Sequence, residues 1–267
     1  MTQSVHISID DVSLLFLDLI SNTQHHKSIF QFPLLKFLHN IHQKFNAEFT
    51  LFGYPIIHNH SLSEITDKFK DEFKTNASWL KFGFHWIDDE MYPGMRDGKS
   101  IEITDKMIID ACNDFYNGVV GFSSSDNISK YIRLHYYYTS KTLFNKLIAI
   151  PWLKNGVTFL CADCKGRMSY DLTEIENEKL IRERILIKNQ RTYIPTDIRI
   201  EDFRGDLSPF FQYQCLVVFT HEWAIFNTKR NMGLKEHIYT KFFNYKNRKR
   251  LKCIIKEFAK RNSQFIS

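Results

Sequence analysis

Four β-like apolar runs in this chain each stop at a residue able to carry a proton or hold a metal. Val5, Ile7 and Ile9 alternate with His6 and Ser8 and lead into Asp10-Asp11. Three later runs, Trp79 to His85, Tyr131 to His135 and Cys215 to His221, each end on a histidine. Alternation of period two is the signature of a half-buried strand. Strand neighbours point to opposite faces, so both acids reach one cleft only where the strand ends and the backbone turns. Asp is also common at turns and helix starts, where it only caps the backbone. The three histidine-ended runs favour the other reading, because the C-terminal ends of parallel strands are where chemistry gathers.

Between these runs lie segments of helical period. Pro33, a good first-turn residue, opens one through Leu34, Leu38, Ile41 and Phe45. Ser61 and Glu64 have capping-box spacing and predict a helix with Leu62, Ile65, Phe69 and Phe73 on one face. Ile108, Ala111, Cys112 and Phe115 mark another, and further helices are expected from near Ser140 and over Leu172 to Arg184. Strands are expected over 48–54, 130–137 and 157–162, the last ending at Asp163. The runs 185–187 and 193–200 read as a hairpin or as extra cover. Strand, helix, strand in repetition predicts an α/β fold with a parallel sheet, and one domain over 1–267 with a barrel of seven or eight strands fits the count.

Composition narrows the class. With 24 Phe, 12 Tyr and 4 Trp against 10 Gly, the chain can fill a packed core and is not a disordered segment. No apolar run approaches the roughly 18 residues needed to span a bilayer. The first residues lack a basic-then-apolar leader pattern, and the odd set of five cysteines lies mostly in apolar runs. Together these predict reduced thiols and a cytoplasmic location. Cys161 and Cys164 form one CxxC, but a zinc ribbon needs a second pair and none exists.

The formal charge of +6 is unevenly placed. Between Lys241 and Arg261 stand nine Lys or Arg against the single acid Glu257, with Leu251, Ile254, Ile255 and Phe258 at helical spacing. This predicts basic C-terminal helices over about 234–263, either as a solvated face or as a docking face for an anionic surface, whether lipid headgroups at the inner membrane side or a polyanion. Nothing resembles a nucleic-acid-binding module, and no nucleic acid is expected as a partner.

In motif order, nearly the whole chain resembles the polysaccharide deacetylase (NodB-homology, carbohydrate esterase 4-like) superfamily. Within it, the chain is most similar to deacetylases of bacterial O-antigen and surface-polysaccharide gene clusters. The resemblance implies a distorted (β/α) barrel of about seven strands, of the glycoside hydrolase/deacetylase type. Ser8-Ile9-Asp10-Asp11 stands for the opening motif, which implies Asp10 as general base and Asp11 as metal ligand. The family's second motif is a His followed four residues on by another. Here His85 matches the first, but Asp89 takes the place of the second, with Asp88 beside it. Arg133-Leu134-His135-Tyr136 stands for the third, with His135 where the family has proline, and so an alternative third ligand.

Asp163 falls where the family has an acid that orients the arginine, on the substrate side of the site. The terminal motif is the run into His221, the general acid, followed by Glu222 and Trp223. The implied cofactor is one divalent metal, zinc first, with cobalt, nickel or manganese as the other choices. Arg133 would hold Asp10 aligned, and Tyr136, Tyr137 and Trp223 would stack on a sugar ring. The implied activity is metal-dependent removal of an N-acetyl or similar acyl group from a carbohydrate, whether free or as a lipid-linked or nucleotide-linked precursor. The competing readings are a metal-free glycoside hydrolase on the same scaffold, working through two carboxylates, and a non-catalytic carbohydrate-binding protein.

Overall fold

A computed structural model describes residues 2–89, 103–137, 141–153, 156–162, 169–189, 191–226 and 234–267. Its strands are β1 (Ser4–Val12), β2 (Phe49–Gly53), β3 (Ile56–Ile57), β4 (His60–Ser61), β5 (Leu80–Phe84), β6 (Tyr131–Ile132), β7 (Thr158–Cys161), β8 (Leu186–Lys188), β9 (Arg191–Pro195), β10 (Ile198–Arg199), β11 (Cys215–His221) and β12 (Gln264–Ile266). The helices are α1 (Leu14–Asn22), α2 (Pro33–Phe45), α3 (Lys70–Thr75), α4 (Asp105–Phe122), α5 (Lys141–Leu147), α6 (Glu174–Glu183), α7 (Glu222–Ile225) and α8 (Leu234–Lys260).

The fold is mixed α/β with a mostly parallel sheet, as the alternation of periods predicts. One sheet runs β10-β11-β1-β2-β5, all parallel, with β12 added beside the first half of β1. A second sheet runs β6-β7-β9-β8, parallel except for the β8–β9 pair. That antiparallel pair is the hairpin foreseen for the runs after 184. On one side a backbone hydrogen bond links the sheets, Ser129 N–H donating to the Phe82 carbonyl at 2.8 Å. On the other the chain passes directly from β9 to β10, with Thr196 N–H bound to the Cys161 carbonyl of one sheet and Asp197 N–H to the Val217 carbonyl of the other, each at 3.0 Å.

β1 is not half-buried: His6 and Ser8 are as inaccessible as Val5, Ile7 and Ile9. The reason is that both faces of this central strand are covered. Its apolar face joins the large core under α1, α2 and α4, while its other face looks onto a small cluster of Phe52, Leu160, Ile194, Cys215 and Val217 drawn from both sheets. His6 packs against Tyr131 there, ring centroids 4.0 Å apart and tilted by 37°, and burial followed by the charge of Arg133 holds its pKa down to about 3.

Local signals act where packing allows. Pro33 starts α2 and Asn46, left-handed at φ 52°, ends it; the side chain of Thr104 accepts from Met107 N–H at the start of α4. The capping box of Ser61 and Glu64 forms, but it opens a 3-10 turn over Leu62–Glu64 and not a long helix. Ile65 is extended and the α-helix begins only at Lys70. The apolar spacing is met another way, since Leu62, Ile65, Phe69 and Phe73 are all buried, Leu62 directly on Gly118 of α4.

Two further expectations are corrected. The strand foreseen over 130–137 is only β6, because His135 N–H donates to the carbonyl of His85 at 3.0 Å and pulls the chain out of the sheet. Tyr136 and Tyr137 then take left-handed conformations at φ 55° and 57°. The basic C-terminal region is one helix, α8, followed by β12, which the charge pattern did not announce. No helix among the described residues is long and apolar enough to cross a membrane.

Candidate metal centre

Most polar groups of the site sit at or just after the C-terminal end of a parallel strand: Asp10 and Asp11 on β1, Tyr54 after β2, His85 after β5, Arg133 after β6, Glu201 after β10 and His221 on β11. At this end β1 departs from regularity. Its pairing with β2 shifts register between Ile9 and Val12, and Asp11 is left-handed at φ 54°. Such a bulge re-aims one side chain, and Asp tolerates this conformation better than most residues. Asp10 and Asp11 thereby line the same cavity, of about 560 Å³. Gly53 permits the bulge, since a Cβ there would lie 2.8 Å from the Val12 carbonyl oxygen.

The two acids have different surroundings. Asp10 is 2 % exposed; its Oδ2 lies 2.6 Å from Nε of Arg133 and its Oδ1 accepts from Ser8 Oγ at 3.1 Å. The Arg133 guanidinium is held on every side. It donates to Thr196 Oγ1 at 3.1 Å and Tyr137 OH at 3.0 Å, and lies 4.0 Å from the centre of the Phe219 ring. This pair is rigid because all its partners are buried.

Asp11 faces histidines. Its Oδ1 is 3.2 Å from His85 Nε2 and 3.6 Å from His135 Nδ1, and those two nitrogens are 3.2 Å apart. Among the described residues, these are the ones whose donor atoms converge closely enough to share one cation. His85 Nδ1 lies 2.6 Å from the Arg133 carbonyl oxygen. A carbonyl can only accept, so Nδ1 carries a proton and Nε2 is the atom that His85 turns to the cluster. A carboxylate oxygen and two imidazole nitrogens at this spacing share protons in the metal-free site, and a bound cation would take the place of those protons. Two imidazoles and a carboxylate suit zinc and its first-row neighbours. Tyr54 OH donates to Asp11 Oδ1 at 2.6 Å and Trp223 Nε1 to Oδ2 at 3.1 Å. Burial opposes the charge on Asp11, but His85, His221 and the Tyr54 hydroxyl outweigh it and hold the carboxyl well below the usual carboxylate range.

Opposite stands His221, with Nε2 3.8 Å from Asp11 Oδ2. Oε1 of Glu201 accepts from His221 N–H at 2.7 Å and Thr220 Oγ1 at 2.7 Å, and lies 3.2 Å from His221 Nδ1. Burial would lower the His221 pKa; the hydrogen bond and charge of Glu201 reverse this and raise it. Trp223 stacks on His221, centroids 5.0 Å apart at 21°. Glu222 turns inward instead, accepting from Ser13, Leu14 and Leu15 N–H at 2.7–2.9 Å and capping α1. Burial pushes its pKa up to about 7 in spite of those donors.

The sequence-predicted residues therefore meet in one cavity: Asp10, Asp11, His85, Arg133, His135 and His221, with Tyr136 and Trp223 exposed at 51 % and 39 %. The third member of the metal cluster is His135, the alternative choice. Asp89 lines the same cavity but accepts from His58 N–H at 3.1 Å, and its Oδ2 lies 3.5 Å from His58 Nε2. Asp163, like Cys164, lies outside the described residues. Tyr54 and Glu201 were not singled out, although each ends an apolar run as the recognised residues do. No family model and no curated protein matches the chain.

Proposed function

We propose that this chain is a metal-dependent hydrolase of amide bonds that removes an N-acetyl or similar acyl group from a sugar used in surface-polysaccharide assembly. The observation that carries this is the division of labour between adjacent acids: Asp10 is bound to Arg133, and Asp11 to His85 and His135. A seven-stranded distorted barrel is the scaffold we infer. It is supported by the Ser129–Phe82 hydrogen bond that links the sheets on one side, the direct passage of the chain from β9 to β10 on the other, and the small cluster that both sheets share.

Asp11, His85 and His135 would hold the cation, whose chemistry is to polarise the acyl carbonyl and bring the pKa of a water towards about 7. Asp10 takes the proton of the attacking water, its carboxylate held in one orientation by Arg133 Nε and Ser8. His221 gives a proton to the departing amine, without which the tetrahedral species returns to substrate. Glu201 fixes the proton on Nδ1 of His221 and leaves Nε2 turned to the cavity. Tyr54 and Trp223 hold Asp11 from its two oxygens. The exposed rings of Tyr136 and Trp223 at the cavity mouth are suited to the face of a sugar.

Elemental mass spectrometry of the purified protein, beside acetate release from N-acetylated sugars, tests this. Near one divalent ion per chain and acetate release, both lost in Asp11→Ala and His85→Ala, is the expected result. A wild type that binds no metal after reconstitution, or an Asp11→Ala variant that releases acetate as well as wild type, would overturn it.

A further inference from the structure

The last long helix exposes an unusual surface. From position 239 to 260 of α8 the exposed residues are six lysines, the aromatics Tyr239, Phe242 and Tyr245, and Cys253, without one acid. Tyr239, Phe242 and Tyr245 are 69 %, 56 % and 57 % exposed. The other cationic side chains turn inward: Arg248 donates to the Ile225 carbonyl and Arg250 to that of Ile200, each at 2.6 Å. Glu257, half-buried, pairs with Lys260 at 2.8 Å. The opposite face, with Leu251, Ile254, Ile255 and Phe258, is buried in the core. Exposed large aromatics cost solubility, and a surface helix that needs only to be solvated has no use for three within two turns.

Topology sets which end of the molecule they occupy. α8 leads into β12, which pairs with the first residues of β1, so its C-terminus lies at the end of the sheet remote from the site. The helix therefore runs back against the strands. Its 27 residues span about 40 Å and the 9 of β1 about 30 Å, so its first turns reach the site end. Asn247 Nδ2 donates to the Ala224 carbonyl at 3.0 Å, tying α8 to α7, the element that carries Trp223.

We propose that this face of α8 docks on an anionic lipid bilayer. The aromatics would enter the headgroup region and the lysines would meet lipid phosphates, their stems lying along the apolar surface as Lys246 already does, with Nζ 4.2 Å from the Phe242 ring centre. Lysine charge alone would serve any polyanion. The aromatics gathered at the site end distinguish a bilayer, which takes rings and charges together. Docking there puts the α7 side of the cavity beside the membrane surface. This inference stands apart from the chemistry in the cavity.

Co-sedimentation of the full chain with vesicles tests it, with phosphatidylglycerol mixed into phosphatidylcholine, or phosphatidylcholine alone. Binding is expected only to the anionic vesicles, and it should weaken as salt rises. Lys246→Gln/Lys249→Gln should weaken it roughly fivefold for each lysine removed. Phe242→Ser/Tyr245→Ser should weaken it about tenfold or more. All four side chains are exposed, and unchanged thermal unfolding shows that each variant is folded. Absence of binding to anionic vesicles overturns the proposal. So does an aromatic variant that sediments like wild type; if that variant also binds polyphosphate or an oligonucleotide, the face serves a soluble polyanion instead.

Discussion

Nδ1 of His85 donates to the main-chain carbonyl of Arg133 at 2.6 Å, and Nε of the same Arg133 holds Asp10 at 2.6 Å. One residue thus orients both halves of the site, the imidazole of the candidate metal cluster through its backbone and the carboxylate proposed as base through its side chain. The two functions are coupled by geometry and not by a shared ligand.

The first prediction concerns metal occupancy. His135→Ala should lower zinc affinity by more than about a hundredfold, because it removes one of the three proposed ligands, where even the loss of a supporting group costs about 10–100-fold. Asp89→Ala should leave affinity within about tenfold of wild type, since Asp89 is engaged with His58. Isothermal titration with zinc separates the two outcomes.

Arg133 should be costly to remove. Arg133→Met leaves the buried Asp10 carboxylate uncompensated, and breaking a buried pair on one side destabilises by about 3–5 kcal/mol. Arg133→Lys should recover little of this, because one ammonium cannot reach Asp10, Thr196 and Tyr137 in the fixed directions of a guanidinium. Urea unfolding of the three proteins measures it.

In the metal-free protein, Glu201→Gln should move the His221 pKa downward, since Glu201 supplies the hydrogen bond and charge that raise it against burial. NMR titration of the His221 ring reads this directly. An unmoved pKa would remove Glu201 from any part in the acid role proposed for His221.

Glu222 gives a pH dependence of stability with a definite sign. Its pKa is raised by burial from 4.5 to about 7, so the native state holds this proton more tightly than the unfolded chain. The stabilisation is fully present below about pH 4.5 and is lost as pH rises through about 7, a span worth about 3 kcal/mol. The difference in unfolding free energy between wild type and Glu222→Gln, both metal-free, should therefore be flat in acid and fall by about that amount towards pH 8.

Much of this protein is written locally in the chain. Apolar runs of strand length bounded by polar residues, helical spacing between them and Pro33 at a helix start depend on near neighbours, and each is legible without a structure. Parallel strands bring their C-terminal ends to one rim, so Asp10, Asp11, His85, His135 and His221 were recognisable as a group, while Arg133 entered only through the family resemblance. What the tertiary structure decided rests on contacts between distant residues. The bulge at Asp11 depends on the register of β1 against β2 and on the space left by Gly53. The choice of His135 over Asp89 follows from its backbone bond to His85, which no spacing in the sequence encodes. Tyr54 and Glu201 serve the site only because β2 and β10 end beside β1 and β11. Local sequence sets which residues stand at a strand end; long-range register and packing set which of them touch.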